Sequence, residues 1–171
     1  MAPSNHQKHQ AGRHLAVAEA LLHGHSASLH GAQTFVTING RTAAVQVAAQ
    51  GGWMIVDIDR MTAMSVDLYV LVDVTEGRRD FYVVPGDDLR AGVRERHDEF
   101  MASVGGVRPR TPNSRHAAIY PANVEAWRNR WSFVRRREPA RNWGRGLLTD
   151  CTTGARPARP PAALPPGCAA Q

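Results

Sequence analysis

Residues 67–74 read DLYVLVDV, and this run constrains the fold more than any other part of the chain. A short, nearly all-apolar stretch bounded by turn-forming residues fits a central strand buried on both faces. Its companions are also strand-like. After the turn at Glu76-Gly77, DFYVVP (Asp80–Pro85) supplies a further strand. Upstream, TFVTI (Thr34–Ile38) runs into Asn39-Gly40, a strong two-residue hairpin signal. RTAAVQVAA then alternates, with Ala43, Val45 and Val47 on one face and Ala44, Gln46 and Ala48 on the other. Gly51-Gly52 makes another turn, and WMIVDI (Trp53–Ile58) is predicted to close a three-strand meander.

Helices are predicted on either side of these strands. From Gly12 to Gly24, Leu15, Ala18 and Leu22 recur at helical spacing, with Val17 and Leu21 widening the stripe. Asp87-Asp88 place acids at a helix start, where they complement the N-terminal dipole. Leu89, Val93, Phe100 and Val104 form that helix's inward stripe, and Gly105-Gly106 end it. A last helix is expected from Pro121, with Val124, Trp127, Trp131 and Val134 facing inward. The order is one helix, a three-strand meander, two further strands and two helices: a mixed α/β (α+β) domain.

The chain's 171 residues suit about one domain with a tail. Residues 1–11 are polar and expected to be loose, residues 12–134 to fold, and residues 135–171 to form a disordered basic tail holding six of the eleven prolines. No apolar run approaches the ~18 residues of a membrane span. MAPSNHQKHQAGRH lacks the apolar stretch of a secretory signal, so a cytoplasmic protein is expected. Both cysteines, Cys151 and Cys168, fall in the tail, which removes a disulfide or Cys-zinc framework from the core.

Charge is unevenly spread. The net +6 divides into +5 from Arg135 onward and +1 before it. Within the body, residues 57–99 carry −5, and residues 108–130 carry +4 from five arginines and one glutamate. Arg108, Arg110, Arg115, Arg128 and Arg130 are therefore the candidate phosphate-binding residues. All cations but one are arginine, the exception being Lys8.

Neither a GxGxxG nor a GxxxxGK loop is present, nor a GxSxG elbow. His6, His9, His14, His23, His25 and His30 cluster early, but His23 and His25 flank a glycine rather than taking the i, i+4 spacing of a helical metal site.

The helix-then-hairpin order in AEALLHGHSASLHGAQTFVTINGRTAAVQVAAQGGWMI, followed by YVLVDV…DFYVVPGDDL, resembles the PD-(D/E)XK, restriction-endonuclease-like superfamily, over roughly Gly12 to Val134. The resemblance implies a nuclease core in which a helical Glu, a hairpin Asp and a Glu/Gln-x-Lys converge on Mg²⁺. Carboxylates hold the metal, the metal activates water, and the lysine orients the nucleophile. Glu19 matches the helical acid and Gln46 the Glu/Gln position. Ala48 stands where the lysine belongs, and the hairpin Asp would fall near Gln33 or Thr34, neither of them acidic. With no lysine after Lys8, none is available to take over that role, and Arg41 and Arg60 are the nearest cations. The resemblance thus implies a degenerate site, with Asp57 or Asp59 as acids that would complete a metal set if the hairpin register were shifted.

Three functions follow as expectations. The first is a catalytically silent nuclease-like domain that binds DNA or another nucleic acid. The second is an active Mg²⁺-dependent endonuclease using Glu19 with Asp57 or Asp59 and Gln46. The third is a protein-interaction module on an inactive scaffold. Trp53, Trp127 and Trp131 have spacings that suit core packing rather than base stacking, whereas Trp143 lies in the tail.

Overall fold

In the computed structural model, residues 3–30, 35–75, 77–108 and 114–134 are described, and they belong to one compact unit spanning Met1–Glu138. The fold is mixed α+β. Helix α1 (Asn5–Leu22) leads into β1 (Ala27–Leu29), β2 (Phe35–Ile38) and β3 (Arg41–Ala48). Next come β4 (Trp53–Ile55), α2 (Ile58–Ala63), β5 (Leu68–Asp73), β6 (Asp80–Pro85) and α3 (Gly86–Ser103). Strand β7 (Ala117–Ile119) and the short α4 (Pro121–Val124) follow. The main sheet has the order β1-β2-β3-β5-β6. Only the β3–β5 pair within it is parallel.

The apolar run at 68–73 is the centre of this sheet, and all six residues of β5 are buried. Asn39 and Gly40 both take positive φ, as a tight hairpin turn requires between β2 and β3. The predicted meander differs in its third strand. β4 leaves the main sheet and pairs with β7 in a ribbon of two strands, and the strand added to the hairpin is β1, on its other side. The place beside β3 is taken by β5, whose side chains need apolar cover on both faces, and the WMIVDI segment, with Met54 and Val56 exposed, serves as part of the crossover between them.

Two apolar layers flank the sheet. On one face Ala43 and Val45 of β3 join Leu68, Val70 and Val72 of β5, together with Ala16 and Ala20 of α1. On the other face Ala44 and Ala48 meet Tyr69, Leu71, Tyr82, Trp53, Leu89 and Val93. Helix α1 starts at Asn5, seven positions before the predicted start, because Ser4 and Gln7 form a reciprocal capping box. Its fully buried residues are Gly12, Ala16 and Ala20; of the predicted stripe, Leu15 and Val17 pack partly buried against the same layer, and Ala18, Leu21 and Leu22 are exposed. Small side chains let the helix lie close to the sheet, and Leu22 is left 82% exposed.

The predicted last helix is broken into α4 and two 3₁₀ turns, Glu125–Trp127 and Trp131–Phe133. Val124 packs in one apolar layer, and Trp131 and Val134 in the other. Between them the chain rounds the β6 edge: Arg128 bridges Tyr82, and the Asn129 N–H donates to the Phe81 carbonyl. A segment whose apolar residues serve opposite sheet faces cannot stay one straight helix. The tail from Arg135, with Cys151, Cys168 and Trp143, lies outside the described residues.

Candidate functional site

The residues expected to converge on a metal are set apart by the pleat of β3. The Gly12 backbone of α1 lies against the Val47 side chain, so α1 and Glu19 occupy the face to which Ala43, Val45 and Val47 point. Gln46 projects from the opposite face, as alternation along a strand requires, in line with buried Ala44 and Ala48. Glu19 is partly exposed, and its Oε1 lies 3.4 Å from the His23 Nε2. Ala48, in the lysine position, is 1% exposed and part of the core. Gln33 and Thr34 lie outside the described residues.

The two reserve acids have local work. Asp57 is the N-cap of α2, its Oδ1 accepting from the Arg60 N–H at 3.0 Å. Asp59 forms an ion pair with Arg115. Both follow β4, which belongs to the second sheet. Mg²⁺ prefers several oxygen ligands at one point, and among the described residues no group of three or more His, Cys, Asp or Glu side chains is placed to hold a metal. The set Glu19, Gln46 and Asp57 does not fit the ion that the resemblance implies.

Sequence reasoning missed Asp73. This last residue of β5 is fully buried and stands between Ala48 of β3 and Asp80 of β6 in register. Its Oδ1 accepts from the Thr75 N–H at 2.9 Å and the Thr75 hydroxyl at 2.5 Å. The Thr75 oxygen in turn accepts from the Gly51 N–H. Among the described residues Asp73 Oδ2 has no hydrogen-bond partner, and Arg78 Nη1 is 3.8 Å away. The arrangement ties the turn after β3 to the turn after β5. An acid inside an otherwise apolar strand, two residues before a threonine, was the available signal.

The arginines are dispersed. Arg108 Nη2 donates to the His116 carbonyl at 2.6 Å, and the guanidinium lies over Phe100, 5.0 Å from the ring centroid. Arg115 faces Asp59 beside α2. Arg128 sits at the β6 edge, donating to Asp80 at 2.7 Å and Glu125 at 3.4 Å. The hydrogen bond to Asp80 raises the Arg128 pKa above its ordinary value. Arg130 is exposed, and Arg110 lies outside the described residues.

Of the early histidines, His23 and His25 pack against a tryptophan, and His6, His9, His14 and His30 are exposed. His23 stacks on Trp131 with centroids 5.6 Å apart, and His25 lies tilted against the same ring. His25 Nδ1 is also 2.9 Å from the side-chain nitrogen of buried Asn39. Trp53 and Trp131 are core residues, and Trp127 is partly buried against the core. None of the described helices is long and apolar enough to cross a membrane.

Compared with known proteins, the chain is matched by no family model, no curated protein sequence and no solved structure.

Proposed function

We propose that this is a nuclease-superfamily-like domain without a working metal centre, acting in the cytoplasm by binding DNA or another nucleic acid. The observation that carries the loss of chemistry is the division of the site by β3. Gln46 and buried Ala48 share one sheet face while Glu19 stands on the other. Ala48 stands in the lysine position and, among the described residues, no carboxylates converge there to hold a metal and position an attacking water. The nucleic-acid part rests on the +4 balance of residues 108–130 and on the exposed Arg130.

Plasmid and linear DNA incubated with Mg²⁺, Mn²⁺ or EDTA should stay intact, for the native chain and for Glu19→Ala alike. Metal-dependent cleavage that disappears in Glu19→Ala would restore the endonuclease reading and overturn the loss of chemistry. DNA affinity should fall steeply as salt rises, because phosphate contacts release counterions. Affinity insensitive to salt would overturn nucleic-acid binding.

A specific observation favours a protein-interaction module as the second reading. Arg115 and Arg128 are engaged by carboxylates of the same chain. Meanwhile Met54, Val56 and Tyr120 stand 63%, 71% and 57% exposed along the β4–β7 ribbon.

A further inference from the structure

We propose that the cavity between α3 and β7 is a binding site for a nucleoside 5′-phosphate. The cavity measures about 350 Å³ and is lined by Arg96, His97 and Phe100 of α3, by Arg108, and by His116 and Tyr120 on either side of β7. That size falls within the range of small-molecule sites. The remaining lining residues are Val93, Ala117 and Ala118, so two arginines and two histidines face the space without one carboxylate.

Helix α3 segregates its charge to achieve this. Glu95, Asp98 and Glu99 line a separate surface with Arg94, and Arg96 and His97 turn to the cavity. Arg96 has no ion pair or hydrogen bond among the described residues that would neutralise its charge. Arg108 is anchored by the His116 carbonyl and by the Phe100 ring, and its Nε is enclosed without an acceptor among the described residues. An anchored guanidinium and a second arginine lining the same cavity suit a phosphate, which accepts paired N–H donors. Phe100 and Tyr120 are both substantially exposed at the same cavity. Phe100 carries Arg108 over its ring and still has 44% of its surface exposed, and Tyr120 has 57%; partly exposed aromatic rings beside arginines suit a stacked base. Phosphate and planar ring together define the ligand.

Such a ligand has two sources, a free mononucleotide or the 5′-phosphorylated end of a strand. The second source rests on the nucleic-acid reading above. The full chain should therefore be titrated calorimetrically with a nucleoside 5′-monophosphate, its nucleoside and inorganic phosphate. The same titration should use one single-stranded oligonucleotide with and without a 5′-phosphate. The monophosphate should bind, with nucleoside and phosphate each weaker by about tenfold or more, since each lacks half of the recognised chemistry. Arg96→Gln should weaken binding about tenfold, the loss of a charge-assisted hydrogen bond, and Phe100→Leu should weaken the monophosphate but not inorganic phosphate. Arg94→Gln removes the same charge from the other surface of α3 and should leave affinity unchanged.

Binding of the monophosphate with no gain from a 5′-phosphate on the oligonucleotide supports the site and assigns it to free nucleotides. A gain from the 5′-phosphate that Arg96→Gln abolishes assigns it to strand ends. Oligonucleotide binding indifferent to the 5′-phosphate, with no monophosphate binding at millimolar concentration, overturns the site and leaves the nucleic-acid reading standing. Equal losses in Arg94→Gln and Arg96→Gln would reduce the effect to general charge and overturn it as well.

Discussion

The two faces of the main sheet are built by different means. One is covered mainly by a single helix, α1, which approaches through Gly12, Ala16 and Ala20 and brings no polar group into the layer. The other is covered by α2, α3 and the β4–β7 ribbon and is filled by Trp53, Tyr69 and Tyr82. The first solution depends on closeness, and the second on bulk. Asp73, at the carboxyl end of β5, and its register partner Asp80, at the start of β6, stand on the bulky side, as the register with Ala48 requires. The margin of the bulky face holds these acids and the cavity beside α3, and the margin of the close face holds buried Asn39, bonded to His25 and the Val134 carbonyl.

Each face has a glycine at its closest approach, and these give the largest expected effects. A methyl group added at Gly86, the first residue of α3, would overlap the Val66 carbonyl oxygen, which is backbone. One added at Gly12 would overlap Val47 Cγ2, which is a side chain. Gly86→Ala should therefore reach or exceed the upper end of the about 1–3 kcal/mol of overpacking, and Gly12→Ala should fall within it. Denaturant midpoints would measure both. Adding Val47→Ala to Gly12→Ala should recover part of the loss. If the double variant is no more stable than the sum of the two singles predicts, contact between α1 and Val47 does not hold the first face together.

How far the sequence disclosed this contrast depends on where the deciding interaction lies. The central strand at 68–73, the Asn39-Gly40 hairpin and the start of α3 were legible because each is fixed by local pattern or backbone conformation. The partners of β4 and β1 were not. Strand pairing depends on which neighbour best covers β5, and that is a long-range choice. The α1 stripe was legible at Leu15 and Val17, which pack against the layer, but its centre was displaced because hydrophobic periodicity favours leucines and close packing favoured Gly12, Ala16 and Ala20. At the candidate site, the missing lysine was visible directly at Ala48. The placement of Glu19 and Gln46 on opposite faces needed the packing of α1 against Val47. Asp73 was hidden within an apolar run, and the Arg96–Arg108 cavity joins residues from α3 and the far side of a long loop.

The two buried tryptophans sharpen the contrast at intermediate size. Trp53, on the bulky face, donates its indole N–H to the Val72 carbonyl at 3.2 Å and meets Tyr82 edge-on. Trp131, on the close face, is equally buried, but among the described residues its indole nitrogen has no acceptor. Both lose ring volume on substitution by Phe. Only Trp53→Phe also forfeits a hydrogen bond, whereas Trp131→Phe removes a donor that is already unsatisfied. Trp53→Phe should be the more destabilising by about 1–2 kcal/mol. Equal losses in thermal or chemical unfolding would mean that ring volume alone decides, and that the faces differ less than their polar groups suggest.

The smallest effect is expected at high pH and separates the faces by titration. Burial raises the pKa of Tyr69 above 10.0, opposed by the hydrogen bond and charge of Arg90, and burial likewise raises that of Tyr82. Both phenols lie on the bulky face. A pKa raised by folding means that the native state holds its proton more tightly than the unfolded chain does. The contribution is thus complete below the unfolded value near 10 and is lost as pH rises through the folded value. Unfolding free energy should fall above about pH 10, and the fall should be shallower in Tyr69→Phe and Tyr82→Phe. At neutral pH, Tyr69→Phe should lose about 1 kcal/mol for its hydrogen bond to the Met61 carbonyl. Phe81→Leu, on the close face, should lower stability at every pH and leave the alkaline slope unchanged. An alkaline slope that survives both tyrosine substitutions would place the responsible group elsewhere and remove titration as a difference between the faces.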